Sequence, residues 1–282
     1  MTYRLFIQAN NRQLLGALLS KYSIERTASK PIEVTILNVN EIPAFTNFEG
    51  VKFKHGVDIR TYSIEDGQSF TLSRFMPPEL VGFTGKVVVI DPDVFAVQDM
   101  TGLFDVELSD AAIASCKKTG GDKWDTSVML LDASKLTWKI SEILAKLKSF
   151  EMTYNTVMRR LWNDPKVVEL SREWNTLDEI RPTTKMIHYT NQNTQPWKTG
   201  LPIDFYSKGD TQRFFGIIPK RFLRRLVRPA ARTYQPHPDE KAAAFFFSLV
   251  RDALKNGVIT RDMIDEQVRS GYLRSDIARL IA

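Results

Sequence analysis

The chain has 282 residues, 43% of them hydrophobic and 26% charged, which is an ordinary soluble balance and enough length for a sizeable core. Its one cysteine, Cys116, excludes an intrachain disulfide framework and a cysteine-rich zinc site, and three histidines exclude a polyhistidine metal site. The net charge is +6, no apolar run approaches the ~20 residues that span a bilayer, and positions 1–15 do not read as a signal peptide. These features predict a cytoplasmic protein.

The elements follow in an α/β order. Tyr3 to Ala9 reads as a first strand. From Asn11 to about Tyr22 the leucines 14, 15, 18 and 19 repeat with helical spacing, and Glu33 to Val39 is a second strand. Strand, helix and strand within ~40 residues make a βαβ unit with a parallel pair. Residues 41–68 read as a loop across the sheet mouth. Phe70 to Leu80, carrying Arg74, looks helical until Pro77 and Pro78 interrupt it.

The next segment, 86–93, is the most informative. Val87 to Ile90 reads as a strand buried on both faces, and it ends in Asp91 and Asp93 around Pro92. Open α/β sheets bind ligands where their strands surface, and two hard oxygen donors on a stiff turn suit Mg²⁺ or Mn²⁺. Taken alone, Asp-Pro-Asp is equally a turn that ends a strand.

Ser127 to Leu131 is a further buried strand, preceded by Trp124 and Asp125. Ser134 to Leu147 reads as an amphipathic helix with Ser134 as its N-cap. Lys185 to Thr190 is a late strand that delivers His188 ahead of Thr194-Gln-Pro-Trp-Lys198. A nitrogen ligand joining two aspartates gives a mixed O/N site for a metal that carries a nucleotide diphosphate, and Lys198 is placed to pair with phosphate as a point charge. A structural histidine is the competing reading of His188, and a surface ion pair that of Arg74. Residues 217–235 interleave Lys220, Arg221, Arg224, Arg225, Arg228 and Arg232 with apolar residues. That pattern suits an anionic membrane, a phosphate ligand or a solvated basic face. No recognised nucleic-acid motif accompanies it. From Pro238 onward the pattern is helical, with Gly257 and Gly271 as stops.

Three segments in this order resemble the family 8 retaining glycosyltransferases, which have a GT-A fold: a Rossmann-like mixed sheet flanked by helices. Phe70 to Pro77 followed by Val88 to Val94 resembles the family's basic helix and its DxD strand. Trp124 to Asp132 resembles its Asn-(Ala/Ser)-Gly-Val strand, with Asp125 at the Asn position. Ile187 to Trp197 resembles its closing His-x-x-Gly-x-x-Lys-Pro-Trp motif. The resemblance spans roughly 3–198 and implies a catalytic domain over 1–200, followed by a helical, basic region over 201–282.

The resemblance also implies roles. Asp91, Asp93 and His188 would hold Mn²⁺ or Mg²⁺. Phe6, Ile7 and Ala9, with Asp91 and Lys198, would bind the nucleotide. Arg74 and Asp125 would serve the donor sugar as catalytic residues. The implied reaction moves a hexose with retention from a nucleotide sugar, a UDP-sugar, to a glycan or lipid-linked acceptor. Peripheral contact with the inner face of a membrane would run through 217–235. The closing motif carries one extra residue, has Gln195 at its Lys position, and no Asp-Gln pair follows strand 127–131. The alternative is therefore a non-catalytic nucleotide-sugar or glycan-binding protein on the same fold.

Overall fold

The computed structural model describes residues 2–118, 121, 123–191, 193–203, 213–214, 218–219 and 233–282. Of the basic stretch 217–235, residues 217 and 220–232 lie outside the described residues.

β1 (Tyr3–Ala9) is buried along most of its length, as its apolar run requires. α1 (Leu14–Thr27) crosses back to β2 (Ile32–Asn38), which pairs with β1 in parallel, Tyr3 opposite Ile32 and Ala9 opposite Asn38. The expected βαβ unit is present. Asn10 starts the first turn by accepting a hydrogen bond from the Gln13 amide.

Residues 41–68 carry more than a loop. They include the short helix α2 (Pro43–Thr46) and an antiparallel hairpin of β3 (Lys52–Lys54) and β4 (Ile59–Thr61). The segment Ser69–Phe75 is a 3-10 helix, and α3 (Pro77–Leu80) follows. The two prolines open that helix instead of breaking one, because the first helical positions have no use for an N–H.

β5 (Lys86–Ile90) lies beside β1 in parallel, with Ile7 opposite Ile90. The chain then leaves this sheet. β6 (Val94–Ala96) belongs to a second, three-stranded sheet ordered β10-β11-β6, where β10 is Thr176–Leu177 and β11 is Met186–His188. The main sheet is completed by β7 (Ile113–Lys117), β8 (Trp124–Asp132) and β9 (Val167–Glu169), in the order β2-β1-β5-β8-β7-β9. β5 and β8 are antiparallel, so the sheet is mixed, and helices flank it. β7 and β9 are short and were not legible as strands.

The helix expected over 134–147 is corrected. Asp132, not Ser134, caps a 3-10 turn at Ala133–Lys135, and α4 runs over Ile140–Lys148. Trp138 is the reason: its indole is fully buried between the two, edge-on to Phe75, and holds the link extended into the core. A helix α5 (Tyr154–Arg160) follows, capped by Thr153.

The C-terminal helices lie at Glu240–Lys255, Arg261–Arg269 and Ile277–Leu280. Gly257 and Gly271 end the first two at φ 70° and 72°, conformations that glycine adopts without strain. These helices are not a loose appendage. Phe246 packs on Trp197 and Phe95, and the Tyr189 hydroxyl donates to Ala242 O at 2.7 Å. Leu249, Val250 and Ile264 share one apolar cluster with Leu15, Leu19, Phe95 and Ile187. No described helix is long and apolar enough to cross a membrane.

Helix α1 touches the turn between β5 and β6 through Gly16. A Cβ on Gly16 would sit 2.9 Å from the carbonyl oxygen of Pro92. Gly16→Ala should therefore displace the Asp91–Asp93 turn. We expect a stability loss of about 1–3 kcal/mol by denaturant unfolding, accompanied by weaker divalent-metal binding. Unchanged metal affinity would show that the turn absorbs the methyl group elsewhere.

Candidate functional site

The site forms where the chain passes from one sheet to the other. The Asp91 amide is still tied to the main sheet, donating to Ser127 O at 2.9 Å. Three residues later, Val94 is paired with His188 in the small sheet, and the Tyr189 amide donates to Asp93 O at 3.2 Å. That register sets the imidazole beside the second aspartate. Asp91, Asp93 and His188 each offer one ligand atom within 4.8 Å of the others. Their side chains are 18%, 23% and 7% exposed, so the cluster is open enough to admit an ion yet largely shielded from bulk water.

Each member is oriented by a partner. His188 Nδ1 donates to Asn175 Oδ1 at 3.0 Å, which turns Nε2 toward Asp93 Oδ1 at 3.4 Å. Metal-binding histidines are held in this way, one ring nitrogen bonded to a fixed acceptor and the other aimed at the ion. Asn175 is fully buried, and its Nδ2 has no hydrogen-bond partner among the described residues. Asp91 Oδ1 accepts from Gln8 Nε2 at 2.8 Å and pairs with Arg74 Nη2 at 3.2 Å. Arg74 is itself buried, with its Nε donating to Thr71 O and its Nη1 bonded to the Thr126 hydroxyl.

Asp125 arrives by an irregularity in β8. The pairing with β7 jumps between Ser115 opposite Met129 and Cys116 opposite Asp125, so residues 126–128 bulge out of the ladder. Ser115 Oγ bridges the bulge, donating to Asp125 O at 2.6 Å. The Asp125 carboxylate accepts from Ser127 Oγ at 2.8 Å and pairs with Arg172 Nη1 at 3.4 Å. The bulge thus serves two purposes: it sets Asp125 in place and presents Thr126 to Arg74.

The electrostatics follow from this crowding. Burial, with the Asp93 and Asp125 charges adding, pushes the Asp91 carboxyl up, against Arg74 and His188. Burial opposes a charge on His188, but the facing Asp93 carboxylate, backed by Asp91 and Asp125, outweighs it and holds the imidazole above the usual histidine range. Negative charge dominates here, and a divalent cation answers it. Two carboxylates and an imidazole fit a hard or borderline ion such as Mg²⁺ or Mn²⁺.

The other expected site residues are placed as follows. Ile7 and Ala9 turn their side chains into the core and Phe6 is buried among the β5 and α4 residues, which leaves only their backbone for a ligand. The polar side chain in the buried part of that strand is Gln8, which was not singled out among the site residues. Lys198 lines a cavity together with Arg12, Gly16, Asp93, Trp197 and Tyr272, and its Nζ donates to the Tyr234 hydroxyl at 3.2 Å. Gln195 Nε2 donates to Tyr189 O at 3.5 Å. Arg172 and Tyr154 were also missed, and Asn175, which the sequence placed with Trp174 on the acceptor side, bonds to His188. Tyr154 shares a hydrogen bond of 2.7 Å with Thr71, one step from Arg74.

No protein-family model matches the chain, and no curated protein matches it. Among solved structures it is similar to the WbbM bifunctional glycosyltransferase, with 17% identity over 70% of this chain and 47% of that one and a TM-score of 0.48. The chain therefore spans about half the length of WbbM. It is similar to the galactosyltransferase LgtC, solved with donor and acceptor sugar analogs, at 16% identity over 70% of this chain and 89% of that one, TM-score 0.46. A third likeness is to the glycosyltransferase GlyE of Streptococcus pneumoniae TIGR4, at 17% identity over 80% and 64%, TM-score 0.46. At these identities and scores, function has to be argued from the residues of the site.

Two measurements probe the cluster directly. Asn175→Ala should free the imidazole to rotate and weaken Mn²⁺ binding by about 10–100-fold in calorimetry, with the fold retained. Equal affinity in the two proteins would make the Asn175–His188 bond merely structural.

The pH dependence has a definite sign. A metal must displace the proton that the raised His188 value retains, so affinity should climb as pH passes upward from histidine's ordinary 6.5. Without metal the same shift works oppositely: its stabilisation is complete below 6.5 and is lost as pH rises through the raised value. Calorimetry with Mn²⁺ from about pH 6 to about pH 8 should show this rise, and His188→Gln should flatten it. A native profile as flat as that of the variant would place the imidazole outside the site.

Proposed function

We propose that the chain is a metal-dependent glycosyltransferase of the GT-A type, similar to family 8, that transfers a hexose from a nucleotide sugar with retention. The observation that carries this reading is the Asp91–Asp93–His188 cluster at the point where β5 leaves the main sheet. A Mn²⁺ or Mg²⁺ ion held there supplies Lewis-acid neutralisation of a departing nucleoside diphosphate. Support for a UDP-sugar donor comes from the three motif segments in their order. The catalytic unit would occupy 1–200, with 201–282 as the region that follows.

The chain's own groups have separable tasks in this reading. Arg74, buried and fixed on Thr71 and Thr126, offers a positioned guanidinium beside Asp91, where it needs no reorganisation to meet negative charge. Lys198 adds a second cation on the cavity that reaches Asp93. Asp125, steadied by Ser127 and Arg172, presents a carboxylate to the hydroxyls of the sugar. Developing oxocarbenium character at the anomeric carbon is favoured by such nearby negative charge. The acceptor would be a glycan or a lipid-linked sugar, and the basic stretch 217–235 would meet an anionic headgroup.

A second reading, a nucleotide-sugar-binding protein without turnover, draws on one observation: both Asp125 oxygens are already engaged, Oδ1 by Ser127 and Oδ2 by Arg172. Hydrolysis of a panel of nucleotide sugars with Mn²⁺ separates the two. We expect turnover with at least one UDP-hexose and its loss in Asp93→Ala. Asp125→Ala should lower kcat by about 10–100-fold while leaving the affinity for the bare nucleoside diphosphate within about twofold. Tight nucleotide binding with no hydrolysis across the panel would establish the second reading.

A further inference from the structure

The β3–β4 hairpin carries an apolar face that nothing in the site requires. Val57 at its tip is fully exposed, Ile59 is 61% exposed, and Phe150 is 37% exposed. Cross-strand register places Lys52 opposite Thr61 and Lys54 opposite Ile59, while Phe53 faces Arg60. Directly opposed residues share a face, so Lys52, Lys54, Ile59 and Thr61 look outward. Phe53 is the residue turned into the core. Lys54 Nζ lies 5.7 Å from the centre of the Phe150 ring, which joins that ring to the outward face.

Two features indicate that this face is built, not incidental. The hairpin is clamped: the His55 ring stacks on Tyr154 at 4.8 Å, and the Asn155 amide donates to His55 O at 2.9 Å. The Asn155 side chain lies close over Gly56, its Nδ2 2.6 Å from where a Cβ would stand. In addition, Phe150 sits at φ 61°, a left-handed conformation that disfavours a bulky residue and that asparagine adopts more readily. An exposed ring is kept where the backbone would prefer a smaller polar residue.

We infer that this face docks on an anionic lipid bilayer, with Val57, Ile59 and Phe150 entering the interface and Lys52 and Lys54 meeting lipid phosphate. Charge complementarity selects this occupant. Of the four strand residues on the outward face two are lysines and none is an acid; the hairpin's one acid, Asp58, lies at its turn. Lysine is depleted at protein interfaces but favoured at lipid headgroups beside aliphatic and aromatic side chains. Three apolar side chains, two on the hairpin and Phe150 just beyond α4, are also too few for the core of a stable protein interface. The proposal stands apart from the reaction assigned above, since it concerns only where the molecule sits.

The test is co-sedimentation of the full chain with vesicles of phosphatidylcholine, alone or mixed with phosphatidylserine. The native protein should bind the mixed vesicles and release at high salt. Val57→Asp with Ile59→Asp, and separately Lys52→Glu with Lys54→Glu, should each reduce partitioning on the order of tenfold or more. Phe150→Asn should weaken partitioning while its Tm holds or rises, an outcome that unfolding cannot produce. A variant with Arg221, Arg224, Arg225 and Arg228 changed to Gln is run alongside. Loss of binding in that variant alone, with both hairpin variants at native level, overturns the proposal, as does a native protein that ignores phosphatidylserine vesicles. Sensitivity to the lysine changes without sensitivity to Val57, Ile59 and Phe150 would reduce the contact to phosphate attraction and also overturn it.

Discussion

The structure turns on a three-residue transfer. At Asp91 the backbone is still hydrogen-bonded to β8 of the main sheet, and at Val94 it is already paired with β11 of the small one. Pro92 spans the gap, and its carbonyl lies against the bare Cα of Gly16. Both carboxylates project from this crossing because neither residue belongs to a regular ladder. The imidazole is fixed by the same crossing, since the β11–β6 register decides which residue stands beside Asp93. A one-residue slip in that short pairing would turn His188 to the opposite face. Phe95, Tyr189, Trp197 and Phe246 pack edge-on behind the two strands, so the C-terminal helices hold the register from the rear.

The charges impose a second constraint. Asp91, Asp93 and Asp125 gather against Arg74, Arg172 and His188 in a largely shielded space. A buried ion pair seldom stabilises a fold over an apolar substitute, because desolvation consumes most of the Coulomb attraction. Retaining three carboxylates here therefore argues for a use in which the charge itself matters. Burial is the main cause of the upward push on Asp91, with the Asp93 charge adding to it, whereas His188 is raised against burial by the facing Asp93 carboxylate. A divalent cation held between Asp91, Asp93 and His188 would offset that negative charge.

How much of this was legible in the sequence depends on the range of the interactions involved. β1, β2 and β5 could be read from their β-branched and apolar runs, and Asp91 and Asp93 stood out because an apolar run stops at them. His188 was legible from its strand and the Pro-Trp turn beyond it. What escaped depended on contacts far along the chain. Gln8 looked like an interruption in an apolar strand until β5 set Asp91 beside it. Asn175 and Arg172 lie in a 3-10 turn with no periodicity, and only the pairing of β10 with β11 brings them to His188 and Asp125. The bulge in β8 has no local signal at all, since Ser127-Val-Met-Leu-Leu131 reads as uninterrupted strand. The helix misplaced at 134–147 failed for a related reason: its amphipathic pattern is genuine, but burial of Trp138 takes precedence over propensity in the first turn.

The departures from the family pattern can now be weighed physically. Gln195, at the motif's lysine position, is spent on the carbonyl of Tyr189 at 3.5 Å. A neutral amide there removes a point charge from the phosphate side. Lys198 lies three residues later on the same turn, and it lines the cavity that Asp93 also lines, with Arg12 from the start of helix α1 on another wall. Lys198 and Arg12 thus give that cavity two cationic side chains. Attraction between a lysine and an anion has no strong directional requirement, unlike a bidentate arginine contact. A divalent ion at the cluster would be less tolerant, because the donor atoms of the imidazole and the two aspartates would have to converge on it, and the crossing between the two sheets sets all three.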